Sequence, residues 1–270
     1  MPGNGFTRNT IPLQEIEEEI GGLDMRIGIF SDIHANLEAL QAVLKAYEKA
    51  QIDRYVCLGD IVGYGANPNE CCQKVRDIAE MVVLGNHDAA CCRRMSTEWF
   101  NPAARAAVEV HAGLLEPQHM AWLTQLPYRI EFDHILCCHG SPYRLEEFPY
   151  ILDETDVREI LQHVAARQPL IFVGHTHRGT TFIYREKPVM RIWEDLRETI
   201  SILPDNGYVF NVGSVGQPRD GDWRASYAIF DTATATFELR RTEYDVDAAS
   251  EKIARLGLPI ALSERLYLGL

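Results

Sequence analysis

The stretch Met81-Val82-Val83-Leu84-Gly85-Asn86-His87-Asp88 joins a short apolar run to a polar turn. Four apolar residues in a row are typical of a buried parallel strand, and Gly-Asn turns a chain sharply where a strand ends. Such a turn presents the amide of Asn86 and the imidazole of His87 side by side. Taken alone, the pattern fits an ordinary loop equally well.

Four more segments of this kind occur in the chain, and each follows an apolar run. They are Asp32-Ile33-His34, Gly59-Asp60, His139-Gly140 and Gly174-His175-Thr176-His177. A single Asp or His at a strand end is more often a cap or a satisfied loop residue than a ligand. Their repetition at five strand ends indicates one shared site.

The first part of the chain alternates between apolar runs and helical patterns. Runs at residues 26–31, 54–58 and 81–84 predict strands. The helical spacing after Asn36 predicts a helix of about four turns, and Pro68 suits the first turn of a second helix. Strand and helix repeating at intervals of about 25–30 residues are typical of a parallel sheet with right-handed crossovers.

The remaining chain first becomes helical and then changes to short strands. Helices are predicted at 101–115, 116–125, 155–166 and 245–256, a hairpin at 128–132 and 134–138 turning at Asp133, and strands at 170–173, 180–184, 189–193, 208–212, 225–230 and 236–240. Without a Pro, Ser or Gly-rich linker, residues 25–270 are predicted to form one domain. Residues 1–24 are predicted to be an extension with one or two helical turns at 13–20.

The net charge of the chain limits the kinds of molecule that it is expected to bind. The 270 residues carry a formal charge of −13 from 26 basic and 39 acidic residues, which argues weakly against a nucleic-acid partner. A small phosphorylated substrate remains compatible, because bound cations reverse the local field. No apolar run approaches the roughly 20 residues of a membrane helix, and the acidic start lacks the apolar core of a signal peptide.

The cysteines indicate a reducing compartment. Six of the seven stand in the pairs Cys71-Cys72, Cys91-Cys92 and Cys137-Cys138, and no Cys-x-x-Cys occurs. Neighbouring cysteines rarely bond to each other, so we predict reduced thiols in a cytoplasmic protein. Zinc ligation by these pairs is an alternative without supporting spacing.

The polar strand ends predict a metal centre. Ligands of open α/β sheets collect beyond the carboxyl ends of the strands. The five segments would supply imidazoles, carboxylates and an amide, a mixed set that suits divalent Mn, Fe, Co, Ni or Zn. The set exceeds the needs of one ion and predicts two, bridged by a carboxylate and a hydroxide. The corresponding reaction is in-line hydrolysis of a phosphate ester or anhydride.

These residues resemble the motifs of the calcineurin-like metallophosphoesterase superfamily, which are D-x-H, G-D, G-N-H-D/E, H followed by a small residue, and G-H-x-H. All five are intact between residues 32 and 177. The resemblance implies a four-layer αββα sandwich of two mixed sheets flanked by helices. It also implies two divalent ions, with manganese favoured and iron, cobalt, nickel, zinc or magnesium as alternatives.

The resemblance further implies a role for each motif residue. The first metal would be held by Asp32, His34 and His177, the second by Asn86, His139 and His175, and Asp60 would bridge both. His87 would contact the phosphate and protonate the leaving oxygen. Asp88 would either orient His87 through a hydrogen bond or cap a helix. Packing or surface roles are predicted for His111, His119, His134 and His163.

Two loops narrow the substrate class. The first loop reads Gly59-Asp60-Ile61-Val62-Gly63-Tyr64-Gly65. It lacks the Asp-Arg pair found in the superfamily's protein Ser/Thr phosphatases, and this argues against a protein phosphatase. Residues 59–71 and 211–221 instead resemble the compact prokaryotic branch related to diadenosine tetraphosphatase. Arg219 is a candidate contact to a distal phosphate or nucleotide, or else pairs with Asp220 or Asp222. Tyr64 would stack on a base or simply pack in its loop.

The leading prediction is therefore a hydrolase of a small nucleotide or dinucleoside polyphosphate. A phosphodiesterase acting on cyclic nucleotides or other diesters and a protein phosphatase are the alternatives. A non-catalytic scaffold is the least favoured, because no ligand position has been lost. The oligomeric state is not predicted by the sequence.

Overall fold

The parallel repeat of the N-terminal part lies within one of two six-stranded sheets. The computed structural model describes residues 24–164, 170–184, 188–192 and 199–270, so most of the predicted extension lies outside the described residues. Within these ranges the strands are β1 (Arg26–Phe30), β2 (Arg54–Cys57), β3 (Met81–Val82), β4 (Arg129–Phe132), β5 (Ile135–Cys138), β6 (Leu170–Val173), β7 (Gly179–Tyr184), β8 (Pro188–Ile192), β9 (Ile200–Ser201), β10 (Gly207–Val212), β11 (Ala225–Asp231) and β12 (Thr236–Thr242).

Both sheets mix parallel and antiparallel pairs. The first has the order β3-β2-β1-β11-β12-β9, and the second has the order β4-β5-β6-β10-β7-β8. Parallel pairs join β1, β2 and β3 in the first sheet and β5, β6 and β10 in the second. The carboxyl ends of β1, β2, β3, β5 and β6 therefore supply the loops that carry the predicted ligands.

Helices flank the sheets. They are α1 (Leu37–Ala50), α2 (Pro68–Ile78), α3 (Asn86–Cys91), α4 (Pro102–Leu114), α5 (Pro117–Gln125), α6 (Glu154–His163), α7 (Val246–Arg255) and α8 (Ala261–Glu264). The Asn36 side chain caps α1 by accepting from the Ala39 amide at 3.1 Å, as the sequence predicts. Proline begins α2, α4 and α5, where its missing N–H leaves no helical bond unmade.

The buried side chains form a layered core. Ile29, Val56, Phe172 and Phe210 belong to the cluster between the two sheets. A second cluster joins the first sheet to its helices, and a third joins the second sheet to α6. This is the predicted αββα order of layers. Among the described residues, no helix combines the length and apolar content needed to span a bilayer.

Several predicted boundaries differ from the observed ones. Strand β3 ends at Val82 rather than Leu84, because the Leu84 amide bonds to the Pro127 carbonyl at 2.8 Å. The hairpin turn contains His134 as well as Asp133, both with positive φ, which matches the twist of the flanking strands. Helices α3 and α8 and strand β9 were not predicted as separate elements. The predicted residues Trp193, Ala165 and Ala166 lie outside the described ranges.

The strands of the final third do not form one unit. Strands β7, β8 and β10 extend the second sheet, whereas β9, β11 and β12 extend the first. Alternating apolar residues predict a strand with one buried face but do not identify its neighbour. The last third therefore completes both sheets instead of adding a separate layer.

Tyr47 on α1 ties the helix to the first sheet. Its buried hydroxyl lies 2.9 Å from the Ile29 carbonyl and 3.1 Å from the Ala228 carbonyl. Replacing Tyr47 with Phe removes this donor, so we expect the free energy of unfolding to fall by about 1 kcal/mol in urea denaturation. The control is Tyr267→Phe, which removes an exposed hydroxyl bonded to Asp247. Equal effects of the two substitutions would contradict the expectation.

Candidate metal centre

All seven predicted ligands meet at one edge of the two sheets, and all are buried. Asp32 and His34 follow β1, Asp60 follows β2, Asn86 begins α3 after β3, His139 follows β5, and His175 and His177 follow β6. The first sheet thus supplies four of these residues and the second sheet three.

The first group of side chains contains Asp32, His34, Asp60 and His177. One ligand atom of each lies within 4.8 Å of the others. The Nε2 atoms of His34 and His177 are 3.0 Å apart, and His177 Nε2 is 3.2 Å from Asp32 Oδ1. Nitrogen and oxygen lone pairs therefore converge on one small volume.

The second group contains Asp60, His139 and His175. His139 Nε2 lies 3.2 Å from Asp60 Oδ2 and 3.1 Å from Asn86 Oδ1, so the Asn86 amide belongs to this group as well. Asp60 is the residue that the two groups share.

Backbone carbonyls fix the orientation of three imidazoles. The partners of the Nδ1 atoms are the Val62 carbonyl for His34 at 3.0 Å, the Leu58 carbonyl for His139 at 2.7 Å and the Gln217 carbonyl for His177 at 2.5 Å. Because a carbonyl only accepts, Nδ1 carries the hydrogen. The Nε2 atom of the neutral ring then has a lone pair that can bind a cation.

The protonation states also fit a cation. Burial acts to raise the pKa of Asp32, but His177 and His139 outweigh it and lower the pKa to about 2. Burial lowers the pKa of His34 and His175 well below the usual value, so both imidazoles are neutral. Asp32 Oδ1 has no hydrogen-bond partner among the described residues. Ionised carboxylates and neutral imidazoles are the forms that bind divalent metals.

His139 is the exception. Burial acts to lower its pKa, but the carboxylates of Asp60 and Asp32 raise the pKa to about 9. An imidazolium therefore supplies positive charge to the two carboxylates when no other cation does so.

The backbone at this site is held in an uncommon conformation. Asp32, His34, Asp60, His175 and His177 all have positive φ, between 49° and 68°. Non-glycine residues rarely adopt this left-handed region, and observed strain of this kind concentrates at functional sites. The surrounding hydrogen bonds must therefore hold these loops against their intrinsic preference.

His87 lies beside the first group without joining it. Its ring centroid is 4.9 Å from that of His34 and 4.5 Å from that of Tyr64, and Phe100 packs on it at 4.9 Å. Burial lowers the pKa of His87 to about 4, although Asp60 opposes this shift. His87 Nδ1 has no hydrogen-bond partner in the described part of the chain.

Asp88 caps α3 and holds the neighbouring loop. Its carboxylate accepts from the amides of Ile61 at 2.9 Å, Val62 at 3.1 Å and Gly85 at 3.2 Å. These bonds correspond to the second of the two roles considered for Asp88, and the hydrogen bond to His87 is not formed. Burial and the charge of Asp60 raise the pKa of Asp88 to about 7.

Tyr64 and Arg219 lie next to each other at the first group. Tyr64 is only 5% exposed and packs against His34 at 4.6 Å, so the packed alternative describes it better than base stacking. The Arg219 guanidinium lies 5.5 Å from the Tyr64 ring and bonds to Gln217 at 2.8 Å. Asp220 and Asp222 pair with Arg241 and Arg224 instead. The predicted turn pairing of Arg219 is therefore absent from the described structure.

Two further residues contact the site and were not singled out from the sequence as site residues. Tyr150 stacks on His175, with ring centroids 4.0 Å apart and an interplanar angle of 7°. His111 was assigned a packing role, and its packing supports the Tyr64 loop: Nδ1 accepts from the Gly63 amide and Nε2 donates to the Gly65 carbonyl, both at 2.9 Å. Tyr150 follows no periodic pattern, so no signal marks it.

The fold and the grouped Asp and His side chains are those of a metal-dependent phosphoesterase. A family model described as the calcineurin-like phosphoesterase superfamily domain matches residues 25–235. The chain belongs to this superfamily.

Three known proteins match nearly the whole length of the chain. Protein MJ0912 of Methanocaldococcus jannaschii is 39% identical over 247 residues, which cover 90% of this chain and 98% of that protein. A metallophosphoesterase from Sphaerobacter thermophilus has a crystal structure that superposes with a TM-score of 0.80 at 38% identity, covering 92% of this chain and 100% of that one. Protein PH1004 of Pyrococcus horikoshii shares the fold at 19% identity, with a TM-score of 0.72 over 91% of this chain and 98% of that one.

The buried His111 predicts a pH dependence of stability. Burial lowers its pKa from 6.5 to about 4, so between these values the unfolded chain binds a proton that the folded chain does not. The wild-type protein therefore loses stability as the pH falls through this window, by roughly 3 kcal/mol from His111.

His111→Leu removes this contribution but also leaves the Gly63 amide unsatisfied. We expect the variant to be less stable at pH 7.5, with a deficit that shrinks by roughly 2 to 3 kcal/mol at pH 4.5. Urea denaturation of the metal-free proteins at both pH values measures this difference. A deficit independent of pH would show that folding does not lower the pKa of His111.

Proposed function

We propose that this protein hydrolyses small phosphorylated molecules with the help of two divalent metal ions. The observation that carries the proposal is the position of Asp60, which is shared by two adjoining groups of ligand atoms. In this proposal Asp32, His34 and His177 hold one ion, and Asn86, His139 and His175 hold the other. Asp60 lies between them as the common ligand.

The bound ions would polarise the phosphoryl oxygens and lower the pKa of a water molecule, which are the terms that phosphoester hydrolysis requires. The protein's own contribution is to hold the ligands rigidly. Asp60 Oδ1 accepts the His87 amide at 2.8 Å while Oδ2 faces His139 and His34. The same carboxylate therefore positions both the metal centre and the backbone of His87.

His87 is our candidate for the proton donor to the leaving oxygen. Its buried ring lies beside both Tyr64 and the first group, and its Nδ1 has no partner within the described ranges. Its low pKa reflects burial without substrate. A phosphate dianion next to the ring would favour the imidazolium and raise this pKa, which makes protonation depend on substrate binding.

A nucleotide or dinucleoside polyphosphate is the substrate that we propose. Support comes from the Arg219 guanidinium, which has no carboxylate partner among the described residues and lies near enough to affect the pKa values of His34, His87 and His177. The resemblance to the diadenosine tetraphosphatase branch points the same way. The mixed imidazole, carboxylate and amide ligands suit divalent Mn, Fe, Co, Ni or Zn, and manganese is our preferred ion because the family resemblance favours it.

We further propose that residues 25–270 form one domain and that the protein is cytoplasmic. The first point is supported by α7, whose Ile253 and Ala249 share a core cluster with Leu40 and Val43 of α1. The second is supported by the cysteines, all seven of which are free thiols.

The shared position of Asp60 predicts how metal binding fails. Asp60→Asn should reduce the bound metal from two ions per chain to one or none, whereas Asp88→Asn should leave two, because Asp88 bonds to backbone amides. Equilibrium dialysis with Mn²⁺ followed by metal analysis measures this. Retention of two tightly bound ions by Asp60→Asn would contradict the shared role. Chelation should abolish turnover, and Mn²⁺ should restore it.

The role of His87 is tested by product analysis. The Mn²⁺-loaded enzyme is given mononucleotides, cyclic nucleotides and diadenosine tetraphosphate, and the products are separated by chromatography. His87→Ala should lower kcat about 10²- to 10⁴-fold with the metal content unchanged. His163→Ala, at an exposed histidine of α6, should leave kcat unchanged.

The products identify the substrate class. Release of two ADP from diadenosine tetraphosphate would support the dinucleotide proposal. Opening of a cyclic diester would instead identify a phosphodiesterase. A metal-loaded protein that hydrolyses none of the panel, nor bis-p-nitrophenyl phosphate, would contradict the proposed function.

A further inference from the structure

Residues 148–150 place two aromatic rings against the histidines of the second group. The Phe148 ring is buried and lies 5.9 Å from His139 and 6.5 Å from His175. The Tyr150 ring stacks on His175 at 4.0 Å. The Ser141 amide bonds to the carbonyl of the intervening Pro149 at 2.9 Å, so the segment is anchored between its two aromatic residues.

Tyr150 is the half-exposed member of this pair. It is 48% exposed although one ring face covers His175, so part of the side chain borders solvent at the site. Within the described residues its hydroxyl makes no hydrogen bond. A tyrosine hydroxyl carries its proton at neutral pH and can therefore donate.

Arg219 faces the same space from the other group. The Arg219 amide donates to the His177 carbonyl at 3.1 Å, and Tyr150 stacks on His175 two residues earlier, so both residues border the same loop after β6. Gln217 holds the guanidinium by accepting from Nε at 3.3 Å and from a terminal nitrogen at 2.8 Å. The remaining terminal nitrogen has no partner among the described residues, so it can donate elsewhere.

A second guanidinium adds to the positive charge. Burial lowers the pKa of Arg265, and the charge of Arg219 lowers it further, so the two arginines repel each other. The Arg265 side chain bonds to Leu270, and the Gly221 amide donates to the Gly269 carbonyl at 3.0 Å, so the segment of Arg265 is tied to the loop of Arg219. The loop of Arg219 is therefore locally positive in a protein of charge −13, which favours a bound anion.

We propose that Tyr150 and Arg219 form a subsite for a second phosphate, the one that adjoins the phosphate bound at the metal centre. The Arg219 guanidinium supplies positive charge and can make a forked contact to phosphate oxygens. The Tyr150 hydroxyl donates a hydrogen bond to a phosphate oxygen. The ligand class is a diphosphate, as found in nucleoside di- and polyphosphates. This inference rests on the proposed function, because it requires a first phosphate at the metal centre.

The ring and the hydroxyl of Tyr150 can be separated by substitution. Tyr150→Phe keeps the stacking on His175 and removes only the donor, so metal binding should not change. A purely structural role of Tyr150 would therefore survive this substitution. Tyr143 provides a matched control, because its ring stacks on His163 at 4.0 Å outside the metal centre.

The probes are methylphosphonate and methylenediphosphonate, which are not hydrolysed and differ by one phosphonate. Their binding to the Mn²⁺-loaded protein is measured by calorimetry, with metal content determined before and after. Tyr150→Phe should weaken the diphosphonate about tenfold and change the monophosphonate less than about twofold. Arg219→Lys should weaken the diphosphonate at least as much, and Tyr143→Phe should change neither affinity.

The outcomes distinguish the inference from the proposed function. If the wild-type protein binds both phosphonates but Tyr150→Phe weakens both equally, or neither, the second-phosphate subsite is wrong while the metal centre stands. If the wild-type protein binds two Mn²⁺ ions but neither phosphonate, the proposed function is wrong and the inference falls with it.

Discussion

Asp32 and Asp60 lie at the centre of the site. In each carboxylate one oxygen accepts a backbone hydrogen bond and the other oxygen faces the histidines. Asp32 Oδ2 accepts the His175 amide at 3.0 Å, and Asp60 Oδ1 accepts the His87 amide at 2.8 Å. The first of these bonds joins a loop of the first sheet to a loop of the second. Asp32 therefore connects the two sheets, Asp60 connects two loops of the first sheet, and together the two carboxylates form the negative centre of the site.

This arrangement explains the glycines of the motifs. A Cβ at Gly85 would overlap the Asp60 carboxylate, and a Cβ at Gly174 would overlap Ser31 and the Asp32 carboxylate. The carboxylates approach the facing backbone so closely that no side chain fits there. Each of these glycines is thus required by the carboxylate of another motif.

The orientation of the histidine rings also depends on hydrogen bonds between loops, one of which joins the two sheets. His139, from the second sheet, donates to the Leu58 carbonyl at the end of the first sheet. His34 and His177 donate to carbonyls of loops that pack beside them. These bonds hold the Nε2 atoms inward, and at His34 and His177 they do so where the backbone is left-handed. The strain of the loops is offset by the bonds that the loops make with each other.

The parts of the structure that could be predicted from sequence are those with a local signal. Short apolar runs followed by Asp, His or Asn marked the strand ends that meet at the site, because chemistry and position coincide in each motif. The partners of β7 to β12 could not be predicted, since alternation does not specify which sheet a strand joins. Tyr150 and His111 lack any local signal, and their importance arises only from tertiary contacts.

Aromatic rings enclose the centre on two sides. Tyr64 and Phe100 border His87 and the first group, while Phe148 and Tyr150 border the second. Rings of this kind exclude water from the ligands and lower the local dielectric constant, which strengthens each charge interaction inside. The same enclosure raises the desolvation cost of bringing a phosphate to the metal centre. In the proposed subsite, the Arg219 guanidinium, which bonds to Gln217 and has no carboxylate partner among the described residues, would offset part of that cost.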